Sequence, residues 1–141
     1  MNSADIPFTS LPADRPKVIL CIDDDPAILR YQRAVLERNG YAVVGVTSSR
    51  EGLCLALRGR FDAVIVDYKM PGLDGHQVAA EIRRARPKTP VIMFSGSDVP
   101  ATVLSVVSAF VPKLSVDRFL PVVASFVSPT SPRAEFCSLP V

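Results

Sequence analysis

Six polar residues of this chain sit just beyond short apolar runs. Asp23, Asp24 and Asp25 follow Val18–Ile22, Asp67 follows Ala63–Val66, Ser95 follows Val91–Phe94, and Lys113 stands two residues past Ala109–Val111. Carboxylates gathered in one place repel unless a cation neutralises them. Their hard oxygens suit Mg²⁺, which takes one or two carboxylates and keeps several waters. A lysine at the same edge adds a fixed positive charge. Asp67 can then act as a nucleophile, because carboxylates form aspartyl-phosphate intermediates. Metal ion and lysine would neutralise the transferring phosphoryl group, and Ser95 can donate a hydrogen bond to one of its oxygens. Singly, each residue has a plainer reading: Asp25 before Pro26 is a helix cap, an Asp at a strand end is a turn former, Ser95 is a cap and Lys113 a surface lysine. Their joint placement at four strand ends favours the chemical reading.

The elements that must position them follow from periodicity. The uninterrupted apolar runs Val18–Ile22, Ala63–Val66 and Val91–Phe94 suit buried parallel strands, with Tyr41–Val46 and Ala109–Val111 as two more. Asp25 caps a first helix with Pro26 at its first position, carrying Ile28, Tyr31, Val35 and Leu36 and stopped by Gly40. Ser48 or Ser49 caps a second helix with Leu53, Cys54 and Leu57. A third runs from about His76 to Ala85, a fourth from Val99 to Val107, and a fifth from Val116 to Val127, where Pro121 predicts a kink. Five strands alternating with five helices predict an α/β fold, an open, mostly parallel, doubly wound sheet with helices on both faces. The site of such a sheet lies at the carboxyl ends of its strands.

Length and composition set outer limits. The chain has 141 residues and a net charge of only +2, with 48% hydrophobic and 21% charged residues, the profile of one globular domain. No broad basic field predicts direct nucleic-acid binding. The short run Arg83, Arg84, Arg86 and Lys88 reads as a solvated helix end, and His76 as a surface residue. Cys21, Cys54 and Cys137 lack metal spacing. Cys21 and Cys54 read as small buried hydrophobes, and reduced thiols suit a cytoplasmic protein. No signal peptide is expected, and Val99–Pro112 is too short to span a membrane. Residues 1–15 and 128–141, rich in Pro, Ser and Thr, are expected to be flexible tails around a domain at 16–127.

Lys17 to Val127 resembles the receiver domain of bacterial two-component response regulators. The resemblance rests on Val18-Ile-Leu-Cys-Ile-Asp-Asp-Asp-Pro26, on Phe61-Asp-Ala-Val-Ile-Val-Asp-Tyr-Lys-Met-Pro-Gly-Leu-Asp-Gly75, on Val91-Ile-Met-Phe-Ser-Gly96 and on Ala109-Phe-Val-Pro-Lys113. It implies a flavodoxin-like strand order 2-1-3-4-5 and a switch phosphorylated on Asp67 by a sensor histidine kinase or phosphotransfer protein. It also implies that Asp24, Asp67 and the backbone carbonyl of Lys69 ligate Mg²⁺ directly, with Asp23 acting through water. Ser95 and Lys113 would contact the phosphoryl group, Phe110 would be the aromatic switch residue, and Lys69 and Ser97 would tune phosphoryl lifetime. Such a domain catalyses only its own phosphorylation and dephosphorylation.

Two departures stand out. Lys113 precedes Leu114 where the family usually has proline in a cis peptide, so a trans bond is expected. The segment from Ser95 to Lys113 looks a few residues short, with the deficit expected at the turn after the fourth helix. A stand-alone receiver is the expected form, since nothing after Val127 is long enough for an output domain. The alternatives are a degenerate receiver serving as a constitutive scaffold and a haloacid-dehalogenase-type phosphatase using Asp23-x-Asp25. Arg30 and Arg33 on the first helix are candidates for steering a donor protein. The fourth helix, fifth strand and fifth helix carry more apolar residues than one buried stripe needs. Leu104, Val122 and Phe126 are expected to be exposed there and to serve a homodimer or a downstream protein.

Overall fold

The structure, a computed structural model, describes residues 15–129. Of the tails expected at 1–15 and 128–141, residues 1–14 and 130–141, with Cys137, lie outside the described residues. In chain order the elements are β1 (Lys17–Ile22), α1 (Pro26–Arg38), β2 (Tyr41–Val46), α2 (Ser49–Arg58), β3 (Ala63–Val66), α3 (Gly75–Ala85), β4 (Val91–Ser95), α4 (Ala101–Leu104), β5 (Ala109–Pro112) and α5 (Val116–Phe126). All four strand pairings are parallel, and the sheet order is β2-β1-β3-β4-β5. The doubly wound sheet and its strand order are as expected.

Alternation along the strands sends side chains to two cores. Ile19, Cys21, Ile65, Ile92 and Phe94 meet Leu36 of α1 and Phe119 and Val123 of α5 on one face. Leu20, Ile22, Val64, Val66 and Met93 meet Ala56 of α2, Val78, Ala79 and Ile82 of α3, and Val103 of α4 on the other. Every residue of β3 and β4 is buried, which is why both are apolar up to Ser95, the last residue of β4. On the first face Phe94 and Phe119 pack with ring centroids 4.9 Å apart, and Tyr31 lies 5.8 Å from Phe119. The chain enters beside β3, where Arg15 makes two hydrogen bonds to Asp62, of 3.0 and 2.8 Å.

The first three helices begin on side-chain caps. Asp25 accepts from the Ala27 N–H, Ser48 from Glu51, and Asp74 forms a reciprocal capping box with Gln77. Gly40, at φ 95°, turns the chain out of α1. The last two helices have no side-chain cap hydrogen bond. The helix expected over Val99–Val107 is only one turn, Ala101–Leu104. Pro100 stands at its start, and Thr102, Val103, Val106 and Val107 are β-branched residues of low helix propensity. By contrast α5 runs unbroken through Pro121, which lies on its exposed side. Cys54 also corrects an expectation: it is exposed, and Gly52 and Ala56 take the buried positions of α2.

Candidate functional site

The carboxyl ends of β1, β3, β4 and β5 bring Asp23, Asp67, Ser95 and Lys113 to one edge. Asp23 is 1% exposed and Asp67 7% exposed, while Asp24 faces solvent. Carboxylate oxygens of Asp23, Asp24 and Asp67 lie within 4.8 Å of one another. Backbone geometry places them: the Asp23 N–H donates to the Val46 carbonyl at 3.2 Å, and the Asp67 N–H to that of Ile22 at 3.1 Å. These bonds continue the parallel ladders one residue past the strands, so both acids leave the sheet in fixed register.

Lys113 links the acids. Its Nζ is 2.9 Å from Asp23 Oδ2 and 3.2 Å from Asp67 Oδ2. The remaining oxygens take backbone donors: Asp23 Oδ1 accepts from the Asp25 N–H at 2.9 Å and Asp67 Oδ1 from the Tyr68 N–H at 2.8 Å. Burial, with the neighbouring Asp67 charge, pushes the Asp23 carboxyl up, against the Asp25 N–H and Lys113. Burial alone would lower Lys113, but pairing with Asp23 and Asp67 outweighs it and holds the ammonium above its usual value. Asp23 Oδ2 is buried, and what stands beside it is the Lys113 ammonium at 2.9 Å, a positive charge that a bound cation could replace. An all-oxygen acidic set with one such atom fits a hard divalent cation.

Ser95 is buried. Its Oγ accepts from the Ser97 N–H at 3.2 Å, and its carbonyl accepts the Lys113 N–H at 3.0 Å, so the lysine is anchored by backbone at the end of β4. The peptide after Lys113 is trans, as expected, since no described peptide is cis. The following Leu114 is 95% exposed. Phe110 is half-buried against the α4 side of the core, and Lys69 is exposed two residues after Asp67. Arg30 and Arg33 are exposed on α1, and Arg33 pairs with Glu37 at 2.9 Å. Leu104 and Phe126 are exposed as expected, whereas Val122 is half-buried.

Two residues that support the site are not legible as such in the sequence. Gly75 appears there only as the last residue of the Phe61–Gly75 motif, yet a Cβ at this position would meet the Asp67 carbonyl oxygen and the Tyr68 Cα. Its N–H donates to the Tyr68 carbonyl at 2.6 Å. Ser49 reads as a possible helix cap, but Ser48 is the cap and Ser49 reaches the loop after β3.

Transcriptional regulatory protein GlrR of Escherichia coli K12 is 40% identical over 81 residues, 57% of this chain and 18% of that protein. TcrA of Mycobacterium tuberculosis is 35% identical over 77 residues, 55% of this chain and 30% of that one. The chain therefore matches less than a third of the length of these relatives. Among solved structures, a CheY-like receiver domain protein from Methanospirillum hungatei superposes with a TM-score of 0.73 at 26% identity, over 79% of this chain and 94% of that one. Response regulator TrrA of Thermotoga maritima, in complex with Mg²⁺ and BeF, superposes with a TM-score of 0.74 at 27% identity, over 79% and 99%. TrrA in complex with histidine kinase ThkA superposes with a TM-score of 0.73 at 29% identity, over 79% and 99%. The family model for the response regulator receiver domain matches residues 19–112, which include Asp23, Asp24, Asp67 and Ser95 and end just before Lys113. With acids, hydroxyl and lysine at the strand ends where the motifs put them, the chain belongs to the response regulator receiver domain family.

Proposed function

We propose that this domain is a signalling switch that accepts a phosphoryl group on Asp67 from a histidine kinase or phosphotransfer protein, with Mg²⁺ as cofactor. The observation that carries the reading is the surroundings of Asp67: a largely buried carboxylate 3.2 Å from Lys113 Nζ and clustered with two further acids. An Asp67 oxygen would form a new bond to phosphorus as the donor's P–N bond breaks, and the electron pair stays on the leaving imidazole. Asp24, Asp67 and the Lys69 carbonyl would hold the metal ion directly and Asp23 through water. Bound Mg²⁺ would neutralise charge on the phosphoryl oxygens. Lys113 would turn from the two carboxylates to a phosphoryl oxygen, and Ser95 would donate its hydroxyl to another.

The complex of TrrA with histidine kinase ThkA supports a kinase as the class of donor. The domain would signal through protein contacts, with Phe110 as the residue that follows Ser95 and with Leu104 and Phe126 on the surface that a homodimer or downstream protein covers. Its place of action would be the cytoplasm; among the described residues no helix is long and apolar enough to cross a membrane. The phosphatase reading loses ground because Asp23 is enclosed by the Asp25 N–H and Lys113, and Asp25 is engaged in capping α1. The intact quartet of Asp23, Asp67, Ser95 and Lys113 speaks against a degenerate scaffold. Incubation with acetyl phosphate and Mg²⁺, followed by mass mapping, tests the proposal. One adduct on Asp67, absent in Asp67→Asn and without Mg²⁺, is expected. An adduct elsewhere, or none, overturns it.

A further inference from the structure

Ser49 is the first residue of α2, 3% exposed, and its hydroxyl is used twice. It donates to the Pro71 carbonyl at 3.0 Å and accepts from the Leu73 N–H at 3.0 Å. It thus spans Gly72, which sits at φ +83° and where an added Cβ would lie 3.4 Å from Ser49 Oγ. One turn on, Gly52 leaves no room beside Ile22, the residue before Asp23: a Cβ there would come within 2.6 Å of the isoleucine side chain. The first turn of α2 therefore rests on both acid-bearing strand ends, on β1 through Gly52 and on the β3–α3 loop through Ser49. The helix does not need Ser49 for its own start, because Ser48 already caps it at 3.1 Å. A buried hydroxyl that satisfies one loop carbonyl and one loop amide has a local task.

We infer that Ser49 is a positioning residue for the metal-dependent state of the site: it holds the Pro71–Leu73 turn so that the loop between Asp67 and Gly75 keeps one shape before any cation arrives. This rests on the proposed Mg²⁺-dependent acceptance at Asp67. A loop already ordered loses less conformational entropy when its groups take up the ion, so the hydroxyl acts on metal affinity and not on the transfer step.

Calorimetric Mg²⁺ titration without phosphodonor, combined with acetyl phosphate labelling at saturating Mg²⁺, tests this. Ser49→Ala should weaken Mg²⁺ binding about three- to tenfold, the range of one lost buried hydrogen bond, while the labelling rate at saturation stays within about twofold of the parent. Ser49→Thr, which keeps the hydroxyl, should restore the parent affinity. In the metal-free protein the Leu73 amide should exchange slowly with solvent, and faster in Ser49→Ala. Should Ser49→Ala not fold, Gly72→Ala disturbs the same turn from the other side and should weaken Mg²⁺ in the same direction. Unchanged Mg²⁺ affinity in the alanine variants, equal losses in Ser49→Ala and Ser49→Thr, or a lost saturating rate at unchanged affinity each overturn the inference. A parent protein that takes no phosphoryl group at Asp67 overturns the functional reading instead, and the calorimetric result then stands alone.

Discussion

The two sides of the sheet are held by different means. On the β1–β3 side, α1, α2 and α3 start on Asp25, Ser48 and Asp74, and the acid-bearing loop is pinned by Ser49 and by the close approach of Gly75. On the β4–β5 side, α4 is one turn, α4 and α5 lack side-chain caps, and order comes from apolar packing around Phe94 and Phe119. Hydrogen bonds to backbone define a single geometry, while apolar contact tolerates sliding among similar packings. The difference puts the three carboxylates on the side fixed by hydrogen bonds, and Ser95 and Lys113 on the side ordered by apolar packing.

Removing the packing should therefore cost most. Phe119→Ala is expected to destabilise the domain by about 3–5 kcal/mol in urea unfolding, the usual range for a buried aromatic. A cost below about 1 kcal/mol would mean that α5 is not held by its core. Next, Gly75→Ala pushes a methyl group into the Asp67–Tyr68 backbone and should cost about 3 kcal/mol. A near-neutral result would show that the acid loop is looser than its close contacts imply.

Tyr41 tests the seam where the end of α5 meets β2. Its hydroxyl donates to the Val127 carbonyl at 2.6 Å in a buried position. Tyr41→Phe should cost about 1–2 kcal/mol by stranding that carbonyl. Burial raises the Tyr41 pKa above its ordinary 10.0. The protonated form is thus favoured in the folded state. Its contribution is complete below pH 10 and is lost as pH rises from there through the raised native value. Tyr41→Phe should flatten that alkaline loss without abolishing it, because burial raises Tyr31 as well. An unchanged alkaline slope would assign the loss to other groups.

The smallest effects sharpen the contrast directly. Asp74→Ala breaks a capping box and should cost about 1 kcal/mol, whereas Ser115→Ala, at an N-terminus without a side-chain cap, should change stability by about 0.3 kcal/mol or less. Equal costs would remove capping as the distinction between the two sides.

The same contrast governs what can be read from sequence. Strand ends are legible because an apolar run that stops at an acid or a hydroxyl marks its own boundary, so Asp23, Asp67, Ser95 and Lys113 come together from spacing alone. Caps announce helix starts, and the starts of α1 and α3 fall within a residue of expectation. Tertiary choices between equivalent residues are not legible. Ser48 is the better cap on spacing, with Glu51 three residues on, but nothing local announces that Ser49 reaches across to the β3–α3 loop. Cys54 lies on a helical pattern that permits burial, but the buried stripe of α2 runs through Gly52 and Ala56. Apolar spacing overestimates the length of α4 because it takes no account of the β-branched content of Val103, Val106 and Val107. Arg15 gives no sign in sequence of its long-range partner Asp62.

Lys113 has a consequence for the order in which the chain assembles. Its partners Asp67 and Asp23 lie 46 residues away and 113 − 23 = 90 residues away, and in the sheet β3 and β4 separate β1 from β5. The lysine can reach both carboxylates only when four of the five strands are already side by side. Contacts of such long range form late in folding, after the loop-closure cost has been met by earlier pairings. Loss of the lysine should then leave the folding rate nearly untouched and appear in the rate of unfolding. The ammonium that joins two acids in the finished domain works as a latch on the way out and is nearly silent on the way in.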